Sequence, residues 1–280
     1  MSSDAAIAAA ARAVRAAEAL LLTCGAGMGV DSGLPDFRGN QGFWNAYPPY
    51  AALGLSFVEL AQPQWFEDDP ALAWGFYGHR LALYRRTVPH AGFATLAAWA
   101  ARMPRGAFAF TSNIDGQLQR AGWDEARLVE CHGSIAHLQC GRPCSFEIFA
   151  AGDAPAVDER TMRAEGPLPR CPHCDHVARP NVLMFGDGEW LSERTDAQQE
   201  RLSAWLRGLD AADALGRLVV VECGAGTAVP TVRRLGERLS AQGATLVRIN
   251  VRESAVDEDN PHQLGIALGA AEAIGRIDAA

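Results

Sequence analysis

Lysine is absent from the 280-residue chain, and all 25 of its basic residues are arginine. Together with 33 acidic residues they give a net charge of −8 and an isoelectric point of about 5.4. This acidic balance argues against nucleic-acid binding through neutralised phosphates. Without lysine, the N-terminal amine is the one amine of this sequence that could be acylated.

Long apolar runs are absent as well. The longest near the start, residues 17–24, is interrupted by Glu18 and falls far short of the ~20 residues of a transmembrane helix. The first residues also lack the pattern of a secretory signal. We therefore expect a cytoplasmic protein without membrane association. In such a reducing compartment its seven cysteines are expected to be buried, catalytic or metal-bound rather than paired.

Apolar residues make up 49% of the chain and recur in short runs that suit strands covered on both faces. The runs span residues 19–24, 106–112, 127–133, 217–224 and 245–251. Helical patterns span residues 4–18, with Asp4 as candidate N-cap, and 69–86, 91–103, 195–210, 229–241 and 262–277. This alternation predicts an α/β fold with a doubly wound, mostly parallel sheet. Such sheets bind ligands at the C-terminal ends of their strands.

Two stretches depart from the alternation. Residues 40–64 are rich in aromatic residues and proline, and with the helix that follows they predict a helical insertion over 40–88. Residues 134–180 contain four cysteines and a segment rich in glycine, proline and aspartate, which predicts a second insertion. We expect one domain over residues 1–280, with a smaller lobe formed by the two insertions.

Glycines and polar residues follow the predicted strands. Gly25 and Gly27 come after the first strand, where glycines allow close approach of a phosphate or form a tight turn to a helix. Asn113 and Asp115 follow the second strand, where they could contact ribose hydroxyls or an amide, or cap a helix. His132 follows the third strand, and histidine is the usual general base near neutral pH. A lone histidine is more often structural, but its place at the same sheet edge favours the base.

The cysteines of the second insertion form two close pairs, Cys140 with Cys144 and Cys171 with Cys174. Four thiolates suit tetrahedral Zn²⁺ and leave no open position, so the role is expected to be structural. The alternatives are a redox pair, or His173 or His176 in place of one cysteine. The other three cysteines each end an apolar strand and are expected to be buried: Cys24, Cys131 and Cys223.

The order of these motifs resembles that of the sirtuins, the Sir2-type NAD-dependent protein deacylases. The matching segments are GAG and SGLPDFRG within 25–39, TSNID at 111–115, HG at 132–133, the cysteines at 140–174, FGD at 185–187, the glycine-rich strand end at 223–230 and IN at 249–250. Residues 69–80 resemble the family's helical module. The resemblance spans residues 20–275 and implies a Rossmann-like sheet with a smaller lobe made of a zinc module and a helical insertion.

The resemblance implies NAD and one structural Zn²⁺ as cofactors, with the four cysteines of the insertion as the metal ligands. It places NAD against the following residues: Gly25, Ala26, Gly27, Asp36, Phe37, Arg38, Ser112, Asn113, Asp115, His132, Gly224, Gly226, Thr227, Asn250 and Arg252. It implies that an acylated lysine of another protein binds as an extended peptide along an edge formed by Val182, Leu183, Phe185 and Gly186.

The resemblance also implies the reaction. Asn113 and Asp115 hold the nicotinamide ribose and carboxamide, the acyl oxygen attacks the ribose anomeric carbon, and nicotinamide leaves. His132, as general base, then helps to move the acyl group onto the ribose, which gives free lysine and O-acyl-ADP-ribose. Tyr77 and Arg80 resemble the pair by which some sirtuins hold acidic acyl groups such as succinyl, and a guanidinium can hold a carboxylate at two points. The alternative is a helix face with Tyr77 packed inward and Arg80 in solvent.

The chain departs from the family pattern at Gly29, Ser112, Gly226 and Asp187, where the family usually has serine, glutamine, a hydroxyl residue and glutamate. These departures keep two other functions open: a protein mono-ADP-ribosyltransferase that uses the same pocket, and a non-catalytic module that senses NAD or ADP-ribose. An intact His132 argues against the sensor, because a sensor needs no base.

Overall fold

The computed structural model describes residues 2–36 and 39–280, of which 39–41 in backbone only. The strands are β1 (Ala19–Cys24), β2 (Ala107–Thr111), β3 (Leu128–Glu130), β4 (Gly133–Cys140), β5 (Phe149–Ala150), β6 (Ala156–Asp158), β7 (Arg163–Glu165), β8 (Ala178–Val182), β9 (Leu218–Cys223), β10 (Thr245–Ile249) and β11 (Gln263–Ile266). The helices are α1 (Ser3–Ala16), α2 (Gly39–Ala46), α3 (Pro48–Ala52), α4 (Phe57–Leu60), α5 (Trp65–Asp68), α6 (Pro70–Arg86), α7 (Ala91–Ala101), α8 (Gln117–Arg120), α9 (Glu193–Ala211), α10 (Thr231–Ser240) and α11 (Ala270–Ala279).

The main sheet is parallel and has the strand order β3-β2-β1-β9-β10-β11. The predicted doubly wound fold is therefore confirmed. Strands β2 and β3 are added on one side of β1, and the chain then crosses to the other side to form β9, β10 and β11. The strand order therefore reverses between β1 and β9. In register, Cys24 at the end of β1 lies beside Thr111 of β2 and Cys223 of β9. A reversal of this kind opens a crevice at the C-terminal strand ends.

Helices cover both faces of this sheet, which explains the continuous apolar runs. Leu20 and Leu22 of β1 pack with α1, α7 and α11 on one face. Leu21 packs with α9 and α10 on the other. Because alternate residues of a strand point to opposite faces, every position of β1 is buried.

Two sequence predictions need correction. The N-cap of α1 is Ser2, whose hydroxyl accepts a hydrogen bond from the Ala5 N–H at 3.3 Å, and Asp4 lies in the first turn. The helix predicted over 262–277 begins only at Ala270, and its first part is strand β11, which pairs with β10. A four-residue strand only three residues before a helix leaves too few residues for periodicity to separate them.

The two predicted insertions contain the remaining elements. Residues 40–88 include α3 to α6 and most of α2, and residues 134–180 include strands β5 to β7, nearly all of β4 and the first three residues of β8. They meet in several contacts: the Trp74 indole N–H donates to the Ala178 carbonyl at 2.9 Å, and Arg163 forms a two-point ion pair with Asp69 at 2.7 and 2.8 Å. The division of the chain into domains stays a prediction. No helix in the described ranges is long and apolar enough to cross a membrane.

Candidate active site

Three glycines bring the turns after β1 and β9 into direct backbone contact. The Gly27 N–H donates to the Gly224 carbonyl at 3.1 Å. A Cβ added to Gly27 would lie 2.7 Å from the Gly224 Cα, and one added to Gly25 would lie 2.7 Å from the Gly224 carbonyl oxygen. Gly224 has a φ of 66°, which side chains rarely adopt. The tight turn therefore accounts for these glycines, and their role toward a phosphate stays a prediction.

A cavity of about 620 Å³ opens at this point, between the strand ends and the smaller lobe, within the size range of ligand sites. Most of the residues singled out from the sequence line it: Gly25, Ala26, Asp36, Tyr77, Arg80, Ser112, Asn113, Asp115, His132, Val182, Leu183, Phe185, Gly224 and Gly226. Five others lie on the adjoining turns: Gly27, Gly186, Thr227, Asn250 and Arg252. Phe37 and Arg38 lie outside the described residues.

His132 lies two residues beyond β3 and faces the cavity. Burial lowers its pKa, and a contact with the Ser112 main chain opposes this effect in part. The imidazole is therefore neutral at neutral pH, the form in which it can accept a proton. Its own carbonyl accepts a hydrogen bond from the Leu183 N–H at 3.0 Å, which joins the main chain at His132 to the end of β8.

Asn113 and Asp115 form the floor of the cavity after β2. The Asn113 side-chain N–H donates to the Gly25 carbonyl at 3.0 Å and so joins the first two strand ends. An Asp115 carboxylate oxygen accepts from the Gln117 N–H at 2.9 Å. Burial raises the pKa of Asp115 to about 6, with a further contribution from the Glu130 charge. The N-cap residue of α8 is Gly116, so the interpretation of Asn113 or Asp115 as that cap is wrong.

Tyr77 and Arg80 reach the cavity from α6 in the smaller lobe. Both are buried, with 1% and 6% of their surface exposed, so the interpretation of Arg80 as a solvated residue is wrong. The Arg80 guanidinium donates to the Tyr84 hydroxyl at 2.9 Å, and its carbon lies 4.9 Å from the centre of the Phe76 ring. These aromatic rings shield a positive charge at one end of the cavity.

The turn after β10 lies at the far end of the cavity. The Asn250 side chain donates to the Ala225 carbonyl at 2.9 Å, and the Thr227 hydroxyl donates to the Glu253 carboxylate at 2.6 Å. Arg233 of α10 donates to the Glu253 carbonyl at 2.8 Å. Sequence reasoning missed Glu253 and Arg233, because a polar residue in a turn and an arginine on an amphipathic helix carry no motif.

The edge after β8 is fixed by a buried ion pair. Arg179 donates to both oxygens of Asp187 at 2.7 and 2.9 Å, and the two side chains are 1% and 0% exposed. The Phe185 N–H donates to the Ala61 carbonyl at 3.0 Å. The ion pair and this hydrogen bond therefore fix residues 182–187, of which 182–185 line the cavity and 185–186 form a turn.

The sequence and the fold of this chain are both similar to those of known proteins. The sequence model of the Sir2 family matches residues 25–204. The chain belongs to the Sir2 family. It is 33% identical over 233 residues to the NAD-dependent protein deacylase 2 of Pyrobaculum aerophilum, covering 83% of this chain and 79% of the relative. It is 30% identical over 257 residues to the NAD-dependent protein deacylase of Methylococcus capsulatus, covering 91% and 90%.

Solved structures of the Sir2 family have the same fold. A Sir2 homologue in complex with ADP-ribose is 25% identical, with a TM-score of 0.69 over 96% of this chain and 94% of its own. A Sir2 homologue in complex with NAD has a TM-score of 0.71 at 24% identity, covering 96% and 91%. The resemblance drawn from the sequence motifs is thus confirmed.

The predicted metal centre of this Sir2-family chain lies in the smaller lobe. The sulfur atoms of Cys140, Cys144, Cys171 and Cys174 all lie within 4.8 Å of one another. Two of the separations, Cys140–Cys174 and Cys144–Cys171, are 3.6 and 3.5 Å. Tetrahedral Zn²⁺ with Zn–S bonds of ~2.3 Å separates its sulfurs by about 3.8 Å, so the four thiols fit zinc.

The neighbouring histidines have other partners. His176 pairs with Glu67 at 2.7 Å, and His173 pairs with Glu147. The described residues thus give a four-cysteine cluster rather than a mixed one. Of the remaining cysteines, Cys24 and Cys223 are buried as expected, whereas Cys131 is half-buried.

Proposed function

We propose that this Sir2-family chain is an NAD-dependent protein-lysine deacylase that releases nicotinamide and O-acyl-ADP-ribose. One observation carries the proposal. A single cavity at the strand ends combines a neutral histidine, an amide and carboxylate on its floor, and a cationic pocket reached from the opposite lobe. The histidine is His132, the carboxylate on the floor is Asp115, and the cation of the pocket is Arg80.

The residues around the cavity suit NAD. Its nicotinamide half would lie against Ala26, Asp36, Ser112, Asn113 and Asp115, and its phosphates against the turns of Gly25 and Gly27. Gly224, Gly226, Thr227, Asn250 and Arg252 would serve the adenosine half. When bound, NAD supplies a ribose carbon whose nicotinamide substituent is a good leaving group. The volume of about 620 Å³ suits a ligand of this size together with an acyl chain.

His132 acts as the general base. Because burial holds its pKa below the ordinary value, the ring is neutral at pH 7 and can accept the proton of a ribose hydroxyl. The hydrogen bond between its carbonyl and Leu183 holds the main chain at His132 beside the proposed substrate edge. Asn113 and Asp115 orient the ribose and the carboxamide.

We propose an extended peptide of another protein as the partner. Main-chain groups of 182–186 other than the N–H groups of 183–185, which donate within the chain, would offer a strand edge, and strand addition recognises a backbone without demanding one sequence. The chain has no lysine, so the acylated lysine must come from another molecule. Four thiolates must stay reduced to hold a structural zinc, which supports a location in the cytoplasm.

The cationic pocket favours an acidic acyl group such as succinyl. Arg80 is a buried guanidinium on the cavity wall, and Tyr77 lies one helical turn before it with a pKa raised to about 12 by burial. The tyrosine therefore stays protonated and can donate to a carboxylate, as the guanidinium can. An acetyl group gains nothing from either donor.

The proposal is tested with NAD and matched acetyl-lysine and succinyl-lysine peptides, followed by mass spectrometry of peptide and nucleotide products. Free lysine peptide together with O-acyl-ADP-ribose is the expected result. Nicotinamide release without deacylated peptide would replace the proposal with ADP-ribosyl transfer or NAD hydrolysis. A chain that binds NAD without turnover would be a sensor.

The acyl preference has its own test. Arg80→Met removes the cation but keeps the bulk, and a lost charged hydrogen bond of ~1.5–3 kcal/mol predicts a roughly 10- to 150-fold lower kcat/KM for the succinyl peptide. Turnover of the acetyl peptide should change little. Arg86→Met, an exposed arginine on the same helix, is the matched control. An equal loss on both peptides would refute the acidic-acyl preference.

A further inference from the structure

The last turn of α6, the helix that carries Arg80, is fastened to the main sheet by one buried side chain. Helix α6 ends at Arg86, so the Tyr84 carbonyl is among the last four, which find partners outside the helix. Gln117 supplies that partner, because its side-chain nitrogen donates to the Tyr84 carbonyl at 3.0 Å. Gln117 is 1% exposed and begins α8 in the turn after β2. The bond therefore joins the smaller lobe to a strand end of the sheet.

Gln117 also holds a group on the cavity floor. Its main-chain N–H donates to the Asp115 carboxylate at 2.9 Å, while its side chain reaches α6. Its side-chain oxygen is buried without a hydrogen-bond partner among the described residues, which costs free energy. The bond from its nitrogen to Tyr84 is therefore what an amide provides here and an apolar side chain would not.

The hydroxyl end of Tyr84 contacts Arg80. Tyr84 is 5% exposed, and both residues line the cavity. The Arg80 Nε–H donates to the Tyr84 hydroxyl at 2.9 Å. Because the guanidinium is planar and its donors form a rigid fork, a bond at Nε restricts the direction in which the two terminal nitrogens point.

These contacts form one connected series of hydrogen bonds. It runs from the Asp115 carboxylate through Gln117 and Tyr84 to the Arg80 guanidinium. One end lies where the nicotinamide ribose would bind, and the other lies in the cationic pocket. Hydrogen bonds are directional, whereas apolar contacts are not, so the series fixes how the two ends of the cavity face each other.

We propose that Gln117 and Tyr84 are positioning residues that hold the Arg80 guanidinium toward the acyl end of the cavity. Gln117 fixes the end of α6 relative to Asp115, and the Tyr84 hydroxyl fixes the guanidinium on that helix. This inference rests on the proposed acidic-acyl preference, which gives Arg80 its ligand.

The first measurement needs no substrate. Proton–nitrogen NMR of arginine-labelled protein observes the Arg80 Nε–H, assigned with Arg80→Met. In the natural chain this buried, bonded N–H should exchange slowly with water. Tyr84→Phe removes its acceptor, and Gln117→Met removes the bond to the helix end while keeping similar bulk. Both variants should shift the signal and speed its exchange.

Peptide binding measures the consequence for the site. Without NAD there is no turnover, so calorimetry gives Kd for matched succinyl-lysine and acetyl-lysine peptides. Tyr84→Phe should weaken binding of the succinyl peptide roughly 2- to 10-fold, the range of one net hydrogen bond, and leave the acetyl peptide unchanged. Gln117→Met should reduce the succinyl preference in the same direction.

Two matched variants control for lost stability. Tyr50→Phe removes another buried hydroxyl of the smaller lobe, which donates to the Met162 carbonyl at 3.1 Å. Gln119→Met changes a half-buried glutamine on α8. Neither variant should alter the Arg80 signal or the ratio of the two peptide affinities.

A double-mutant cycle separates positioning from direct contact. In an Arg80→Met background, Tyr84→Phe should no longer weaken binding of the succinyl peptide. An equal loss in that background would place the hydroxyl on the acyl group itself and overturn the positioning role of Tyr84. An unchanged peptide preference in Tyr84→Phe would overturn it as well.

The role of Gln117 is refuted by a different result. If Gln117→Met melts at a lower temperature but keeps the natural Arg80 signal and peptide preference, Gln117 only caps the helix. Where Gln117→Met does not fold, Gln117→Asn, which shortens the amide by one methylene, gives the same comparison.

Failure of the proposed function has its own pattern. A natural chain that binds both peptides equally would refute the acidic-acyl preference, whatever the variants do. The exchange of the Arg80 N–H in the variants would still decide whether Gln117 and Tyr84 hold the guanidinium.

Discussion

The two lobes of this Sir2-family chain are stabilised by different means. The main sheet buries aliphatic strands between helices on both faces, as β1 and β9 show with every residue buried. The smaller lobe contains aromatic rings such as Phe43, Tyr50 and Phe76, whose centroids lie 5.9 Å apart, and it also contains a four-thiol cluster and a buried ion pair. Aliphatic burial depends on no ligand, whereas a cluster of thiols is held together by its metal.

This difference also divides the chemistry. The main sheet presents turns and polar side chains at the strand ends, where the nucleotide would bind. The smaller lobe carries Arg80 on the cavity wall and the proposed peptide edge. A perturbation of one lobe should therefore change one half of the reaction.

Metal removal should have the largest effect. Structural zinc sites contribute about 10–16 kcal/mol of binding energy that is also folding energy. Chelation or Cys171→Ser should therefore unfold the smaller lobe, abolish deacylation and leave much of the parallel sheet in place. Thermal unfolding with metal analysis on the same sample measures this.

Cys223→Ser, at a buried cysteine outside the cluster, is the control and should keep its metal. If the melting temperature persists after stoichiometric metal loss, the cluster does not stabilise the fold. The contrast between the lobes would then disappear.

His132→Ala should remove acyl transfer while the sheet keeps its nucleotide. A missing general base costs ~10²–10⁴-fold in rate, and NAD affinity, measured by calorimetry, should stay within about tenfold, because the ring acts on a proton rather than on the charge of the ligand. Exposed His262 provides the control, His262→Ala. An equal loss of binding would make His132 a structural residue.

The pH profile sharpens this prediction. Since burial lowers the pKa of His132, the ring stays neutral to a lower pH than an exposed histidine, whose pKa is about 6.5. Activity should therefore fall only as the pH drops below that value. Asp115, with a pKa of about 6, adds a second acid limb, which Asp115→Asn should remove.

The buried ion pairs of the two lobes give the next comparison. Asp187→Asn leaves the Arg179 charge without its carboxylate, and breaking a buried pair costs about 3–5 kcal/mol. Because the pair fixes the peptide edge, KM for the peptide should also rise. In the main sheet, Glu222→Gln should cost less, because Arg248 keeps a second carboxylate, Glu237, at 2.9 Å.

Urea unfolding and steady-state kinetics on both variants check this. Asp187→Asn should raise the peptide KM, and Glu222→Gln should leave it unchanged. If the two variants changed the peptide KM equally, the edge would not depend on the Arg179–Asp187 pair.

Sequence reasoning predicted the main sheet far better than the walls of the cavity. Its five strands were continuous apolar runs, and the sixth, β11, was missed because four residues beside a helix show no clear period. The sequence indicated the smaller lobe only by its cysteines and its many aromatic residues.

Prediction of the cavity from the sequence succeeded only in part as well. His132, Asn113 and Asp115 follow strands, so their convergence was predictable from the parallel order. Arg80 and Asp187 are buried beside Tyr84 and Arg179, and neither spacing nor composition reports that burial. Of the two interpretations of Arg80, only the solvated helix face is contradicted, because the side chain is buried on the cavity wall.

The smallest effect is expected at Gly226, where the family usually has a hydroxyl residue. Among the residues that the structure describes, a Cβ there would meet only the Glu253 carboxylate, at 3.3 Å, and a serine hydroxyl could donate to it. Gly226→Ser should change stability by less than about 0.5 kcal/mol and NAD affinity only slightly.

Gly224 two residues earlier gives the contrast. With a φ of 66° and the Gly27 backbone 2.3 Å from an added Cβ, Gly224→Ala should disrupt the turn and cost at least the ~1–3 kcal/mol of a strained backbone. Calorimetric NAD binding and urea unfolding on the two variants compare them. Similar losses in both would mean that Gly226, too, is required by the turn, and that the departure from the family at this position is structural.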